Sequence, residues 1–338
     1  MTSNQKIRIA VAGNINIDII AHGFDRLADR SGVSFGKTVT ISAGGKSRNI
    51  AVMLANFLGP DRVAMLGKTA KDPMQLWRVA IDSLTKAGVN VDFVSIIENG
   101  MPGIALIPVD CTGRHHIYAI PGANEQFSTD DLESGLLAGS SNLFETLVAN
   151  HGILLTTLEA PLPVVRHLLA LGKQHYLPVI LDPGGFQARQ SYEDILGPDI
   201  FLLKPNEAEL EHLTGLEVKD ISSAMRAARL LREKGIPNVL VTLGANGALL
   251  VTERQEIHIR IPLFAQNNGG TQDETGCGDQ ATAALCAALL AGEDLLEAAQ
   301  AAVVAGTLQF YRKGIVPLTQ EELSIKLSEV QDQNKAGS

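Results

Sequence analysis

Short apolar runs recur along the chain, at IRIAVAG, VAMLG, GILLTTLEA, PVILDP, IFLLKPN and NVLVTLG. Such near-continuous hydrophobicity belongs to strands buried on both faces. Between several of them stand helical patterns, such as DPMQLWRVAIDSLTKAG and ISSAMRAARLLREKG. The alternation predicts an α/β fold with a central, mostly parallel sheet and helices on both faces. Ligands in such sheets collect at the carboxyl ends of the strands.

Other segments read differently. NIDIIAHGF, KTVTISAGG, GIALIPVD and RHHIYAI are strand-like, with no helix between the members of each successive pair. DCTG, from Asp110 to Gly113, suits the turn of a hairpin joining the last two. These segments predict a small antiparallel lid, inserted at about 16–45 and 95–121 into a single domain of residues 1–327. Residues 328–338 form a polar tail that is expected to fray.

Two glycine turns open apolar helices. In GGKSRNIAVMLANFLG, residues Ile50, Met53, Leu54, Phe57 and Leu58 share one helical face, and Gly59-Pro60 stops the helix. In DETGCGDQATAALCAALLAG, Asp273 and Asp279 bracket small residues ahead of an Ala- and Leu-rich helix that ends at Gly292. A helix start offers unpaired N–H groups and the positive end of a macrodipole, so an anion is favoured there. Asp279 at that point is either an N-cap or a base aimed at the same spot.

Composition narrows the choice. The 338 residues are 45% hydrophobic and 19% charged, enough for a sizeable core. A formal net charge of -9 argues against nucleic acid as a partner. The start, MTSNQKIRIAVAG, lacks the pattern of a signal peptide, and no apolar run reaches membrane-spanning length. No membrane association is therefore expected, and the cytoplasm is the expected location. Cys111, Cys277 and Cys286 form no CxxC pair, which argues against a zinc site or a disulfide framework.

TISAGGKS nearly spells a P-loop, with PVILD as an acidic partner strand, but Thr40 stands where that motif needs glycine. VAGNINID has one glycine where a dinucleotide fingerprint needs three.

A glycine pair followed by N-x-A at one helix start, and D-x-T-G-x-G-D at another far downstream, resembles the ribokinase-like carbohydrate kinases of the phosphofructokinase-B type, nearest their ribokinase branch. The resemblance covers nearly the whole chain. It implies that Asn16 and Asp18 contact a sugar, together with Gly44, Gly45, Lys46 and Asn49 of the GGKSRN turn and Glu159 of TTLEAPLP. YAIPGANEQFS matches a stretch typical of the ribokinase branch. KPNEAELEHLTG carries the family's N-x-x-E at Asn206 and Glu209, associated with Mg²⁺ and phosphates, although the same residues also spell a capping box. VTLGANGALL resembles the nucleotide loop, with Thr242, Gly244 and Gly247. Asp273, Thr275 and Gly314 are implied for a monovalent cation, K⁺.

The expected function is thus an ATP-dependent sugar kinase, with D-ribose the leading substrate. Gly276, Cys277 and Gly278 would offer N–H groups to the transferred phosphate, and Asp279 would take the proton from the sugar hydroxyl. A nucleoside kinase is the nearest rival, and a non-catalytic sugar- or nucleotide-binding regulator a more distant one. The exposed edge of the lid predicts a homodimer through it. Cys277, at a helix start, is expected to have a lowered thiol pKa. Departures stand at Ser47-Arg48, where small residues are usual, at DPGGF in place of Asn-Pro-Ala-Pro, and at GKTAKDPMQLW. Arg48 either pairs with a surface acid or reaches into the sugar pocket.

Overall fold

Alternate residues of the buried strands face two different cores, and the architecture follows from that. The computed structural model describes residues 6–27, 33–137, 142–262 and 272–336. The chain runs through β1 (Ile9–Ala12), β2 (Asn16–Phe24), β3 (Thr38–Gly44), α1 (Lys46–Leu58), β4 (Val63–Ala70), α2 (Leu76–Lys86) and β5 (Val94–Ile97). β6 (Gly103–Asp110) and β7 (Tyr118–Ile120) lead through a 3₁₀ turn (Gly122–Gln126) to α3 (Thr129–Leu137) and α4 (Leu143–Ala149). Then come β8 (Ile153–Thr157), α5 (Leu162–His175), β9 (Val179–Asp182), β10 (Leu202–Leu203), α6 (Glu207–Thr214), α7 (Ile221–Glu233) and β11 (Asn238–Thr242). β12 (Ala248–Thr252), β13 (Glu256–Ile259), α8 (Cys277–Ala291), α9 (Leu295–Phe310) and α10 (Gln320–Ala336) complete the described elements.

Nine strands form one sheet in the order β13-β12-β11-β10-β9-β8-β1-β4-β5. All pairings are parallel except β11–β12 and β12–β13. Ile9, Val11, Val63, Met65, Ile153 and Leu155 point into a core shared with α1, α8 and α9. Ala10, Ala12, Ala64, Leu66 and Leu154 point into a second core beneath α5 and α7. Both faces are dry, as the unbroken apolar runs require. The chain winds outward from β1 in one direction through β4 and β5, then returns at β8 to build the other half. The crevice between the carboxyl ends of β1 and β8 is the topological switch point, where ligands bind in open α/β sheets.

The lid is a separate sheet in the order β3-β2-β6-β7. Its β2–β3 and β6–β7 pairs are antiparallel, whereas β2 and β6 run parallel. The hairpin turn falls at Cys111–Gly113, as DCTG suggests. Register fixes its two faces. Ile19, Ile41, Leu106 and Tyr118 lie opposite one another on one side, and Asp18, Ser42 and Ala105 on the other. Val39, Ile41, Leu106, Tyr118 and Ile120 leave the first side exposed and apolar.

TISAGGKS is lid strand β3 running into α1, so it has no P-loop context. The polar tail continues as helix α10 to Ala336. Among the described residues no helix is long and apolar enough to cross a membrane.

Candidate active site

Glu159 follows β8 and Asp182 ends β9, so both acids stand at the carboxyl edge beside the switch point. Opposite them α1 begins at Gly45, whose φ of 92° suits glycine. The backbone N–H of Lys46 donates to Glu159 Oε2 at 2.8 Å, so an acid from another strand closes this helix start. Gly44 lies against Asp18, and any side chain there would collide with that carboxylate. Asn16, on the same strand, accepts from Asn124 Nδ2 at 2.7 Å, and Asn124 also bonds both backbone groups of Ile15. Asn124 belongs to the GANEQ turn and orients Asn16.

From the far end of the chain α8 begins at Gly276, with φ 76° and no side-chain cap. Asp279, in its first turn, is held by two donors from α1. Lys46 Nζ reaches Oδ1 at 2.9 Å and Asn49 Nδ2 reaches Oδ2 at 3.1 Å. Lys46 Nζ also lies 3.4 Å from Asp182 Oδ1 and close to Gly278. Asp182 is fully buried and pairs with Lys204 at 3.1 Å and with Thr282 Oγ1 at 2.6 Å. Isolated charges this deep would be costly, but here each has a partner.

The environment separates the acids. Burial pushes Asp18 up to about 6, partly offset by Arg48. Burial pushes Glu159 up to about 7 against the pull of the Lys46 N–H and ammonium. Burial works the same way on Asp182, but Lys204, Lys46 and Thr282 outweigh it and hold that carboxyl low. For Lys46, burial is overcome by Asp182, Asp279 and Glu209, which keep the ammonium firmly charged. Glu209 is raised by burial and by Asp182.

Asn206 and Glu209 do form a capping box at α6, with bonds of 2.9 Å each way. Asn206 also bridges to Thr242, which brings the N-x-x-E segment against the end of β11. Gly244 lies in the 3₁₀ turn that follows, and Gly247 packs its Cα against the Ile259 carbonyl. Asn206 and Glu209 bond each other's backbone and fit a divalent cation held through water rather than directly.

Asp273, Thr275 and Gly314 also meet. The Asp273 carboxylate accepts from Thr275 N at 2.9 Å and from Gly314 N at 2.8 Å. The carbonyls of Thr275 and Gly314 both accept from Gln309 Nε2, at 3.2 and 2.6 Å. The two carbonyls thus already share one donor from within the protein.

Three expectations need correction. Arg48 does not pair with a surface acid, and its two amino groups are turned to protein partners. It is 7% exposed, with Nη1 on Asn49 Oδ1 (3.0 Å) and Ala43 O, and Nη2 on Ser83 Oγ at 2.6 Å. The Cys277 thiol is not acidic: burial, then Asp273, Glu274 and Asp279, push it up to about 12. The Cys277 N–H is turned into its own loop, donating to Glu274 O at 3.2 Å, which leaves Gly278 nearer the charged centre. Asp182, Lys204, Thr282 and Asn124 were not singled out from the sequence. A signal existed for the first two: PVILD and FLLK end adjacent apolar strands in opposite charges, and β9–β10 pairing sets them side by side.

The description pfkB family carbohydrate kinase matches residues 6–320. A ribokinase of Arabidopsis thaliana is 31% identical over 324 residues, covering 94% of this chain and 79% of that protein. A deoxyribokinase of Salmonella typhi is 32% identical over 271 residues, covering 80% and 82%. Among solved structures, Arabidopsis thaliana ribokinase complexed with ribose and ATP superposes with a TM-score of 0.80. It is 27% identical and covers 95% of this chain and 98% of that one.

Proposed function

The chain belongs to the pfkB family of carbohydrate kinases and is a sugar kinase, a phosphotransferase with an alcohol acceptor; from that premise we propose that its acceptor is D-ribose, phosphorylated on a primary hydroxyl by ATP. The observation that carries this reading is the convergence of Lys46, Asn49 and Asp279 at the meeting of α1 and α8. Around it stand Asp18, Asn16 and Glu159, a set of acceptors and donors suited to a small polyol.

Phosphoryl transfer asks the protein for position and charge rather than covalent chemistry. Asp279 keeps acceptor capacity beyond its bonds to Lys46 and Asn49 and takes the hydroxyl proton as that oxygen attacks in line. Gly276 and Gly278 keep the α8 start free of bulk for the γ-phosphate. Lys46 is placed to follow the charge from Asp279 toward the phosphate. Asn206 and Glu209 would hold Mg²⁺ through water, and the ion would supply neutralising charge to the phosphates of ATP. Thr242, Gly244 and Gly247 line the nucleotide side.

Ribose is favoured over an anionic sugar because both Arg48 amino groups are already bonded to Ser83, Asn49 and Ala43. Arg48 therefore offers the pocket no free guanidinium fork. The test is ADP release across pentoses, hexoses, sugar phosphates and nucleosides. Ribose should exceed 2-deoxyribose and every hexose by about tenfold in kcat/KM. Faster turnover of a nucleoside or of 2-deoxyribose would replace it as the assignment.

The exposed apolar side of the lid supports a homodimer built by packing two lids together. Sedimentation at micromolar concentration should give a dimer, and Ile41→Glu should give a monomer. A parent protein that sediments as a monomer overturns the dimer.

A further inference from the structure

Gln309, near the end of α9, is completely buried, and its side-chain amide sits between two loops. One loop carries Asp273 and Thr275 and leads directly into Gly276, where α8 starts. The other follows α9 through Gly314, which has φ 69°. Nε2 has two protons, and the geometry gives each a backbone carbonyl: Thr275 O at 3.2 Å and Gly314 O at 2.6 Å. The N–H groups of the same two residues go to the two oxygens of Asp273, and Asp273 N bonds Phe310 O at 2.9 Å. Hydrogen bonds from Thr275 and Gly314 outweigh burial and hold the Asp273 carboxyl low.

These are the residues that the family resemblance marks for a monovalent cation. A cation there would draw on the Thr275 and Gly314 carbonyls, since backbone oxygens are the hard ligands such an ion takes. Both already converge on one nitrogen. The amide must present nitrogen and not oxygen to them, because Oε1 in that place would set three acceptors against one another. Gln309 Oε1 is buried without a hydrogen-bond partner, so the amide accepts the loss of one bond to make the other two.

We propose that the Gln309 side-chain amide takes the place of the monovalent cation, bridging the Thr275 and Gly314 carbonyls, so that this kinase orders its phosphate-side turn without K⁺. The inference rests on the kinase reading only for the meaning of the turn. The melting arm of its test does not need a sugar.

The full chain is compared in potassium chloride and in tetramethylammonium chloride at equal ionic strength, by thermal melting without ligands and by initial rate with ATP. The parent protein should melt at the same temperature in both salts, and its rates should agree within about twofold. A higher Tm in potassium, or activation of about tenfold or more, would show a working cation site and overturn the proposal. Gln309→Glu is nearly isosteric and sets a carboxylate oxygen against the two carbonyls. Its Tm should rise in potassium relative to tetramethylammonium while that of the parent does not. A Gln309→Glu protein indifferent to potassium would reduce Gln309 to a loop clasp and also overturn the proposal. If that variant does not fold, the salt comparison on the parent decides alone. Failure to phosphorylate ribose would leave the melting result untouched, so the two readings fail separately.

Discussion

Helices α1 and α8 both start at a glycine with positive φ, Gly45 at 92° and Gly276 at 76°, and neither start is capped by its own neighbours. There the likeness ends. The first turn of α1 carries Lys46, Ser47, Arg48 and Asn49, each buried or bonded, and its leading N–H is closed by Glu159. The first turn of α8 carries Cys277, Gly278 and a single acid, Asp279. Cations at the positive end of α1 oppose its macrodipole, by about 0.3–1 kcal/mol each in exposed settings. They are tolerated because the acids of other elements surround them. On the function proposed, the contrast separates two tasks: one helix start is filled by the protein and would present side chains to a sugar, while the other stays small for an anion from outside. Asp279 joins the two, bonded to Lys46 and Asn49 across the gap.

The hardest way to break that junction is Asp279→Asn. Shape is kept and the proton acceptor is lost, so kcat should fall roughly 10²–10⁴-fold, the usual worth of a positioned base. ATP affinity, read by calorimetry, should change little. A kcat near that of the parent would remove Asp279 from the chemistry.

The acid that closes the α1 start is next. Glu159→Gln keeps an oxygen for the Lys46 N–H but loses the charge, and kcat/KM for the sugar should fall about 10–100-fold, the value of one hydrogen bond to an ionised group. The parent should show an acid limb in kcat/KM near pH 7, where the raised Glu159 takes up its proton, and the variant should lack it. The sign for stability is opposite. The folded protein holds this proton up to about 7 and the unfolded chain releases it near 4.5, so the contribution of Glu159 to stability falls as pH rises through that window. Melting curves of parent and variant across it should therefore converge toward low pH.

Most of the scaffold of this comparison was legible in the sequence. Buried strands announce themselves as apolar runs, and α1 and α8 by glycine starts and glycine stops at Gly59 and Gly292. The antiparallel edge of β12 and β13 was not named, because GALLVT follows its turn so closely that it reads as one unit with β11. The residues missed at the site act through partners distant along the chain. Asp182 meets Thr282 one hundred residues on, and Asn124 meets Asn16 across 108. DPGGF looked like a mere departure because its consequence, a buried acid needing Lys204 and Lys46, exists only once the strands are side by side.

Arg48 sharpens the filled side of the comparison. Its Nη1 holds Asn49 Oδ1, which leaves the Asn49 amide nitrogen aimed at Asp279. Burial pushes the guanidinium down to about 10, partly restored by Asp18, so it stays charged at neutral pH. Arg48→Met keeps much of the stem and removes the bond. Sugar KM should rise about fivefold to tenfold, the lower range for a hydrogen bond acting through a second residue, with KM for ATP unchanged. A parallel change in both KM values would mean that Arg48 supports the fold rather than Asn49. Arg48→Lys should recover part of the loss if charge near Asp18 is what counts.

The smallest effect belongs to the open side, at Cys277. A thiol at a helix start invites the idea of an activated nucleophile, but here burial and three nearby acids push it up to about 12. At pH 8 that leaves a thiolate fraction on the order of 10⁻⁴, and thiolate is the form that attacks an alkylating reagent. Its Sγ rests 3.5 Å from the Asp273 carbonyl, a weak contact. On the function proposed, the position asks for smallness rather than sulfur chemistry. Cys277→Ala should therefore keep kcat and both KM values within about threefold of the parent, in line with substitutions that remove no strong partner. Iodoacetamide at pH 8 should label exposed Cys111 well before Cys277, as read by peptide mass spectrometry. Rapid labelling of Cys277, or a Cys277→Ala enzyme slowed beyond tenfold, would show that the α8 start depends on its thiol and is not merely kept small.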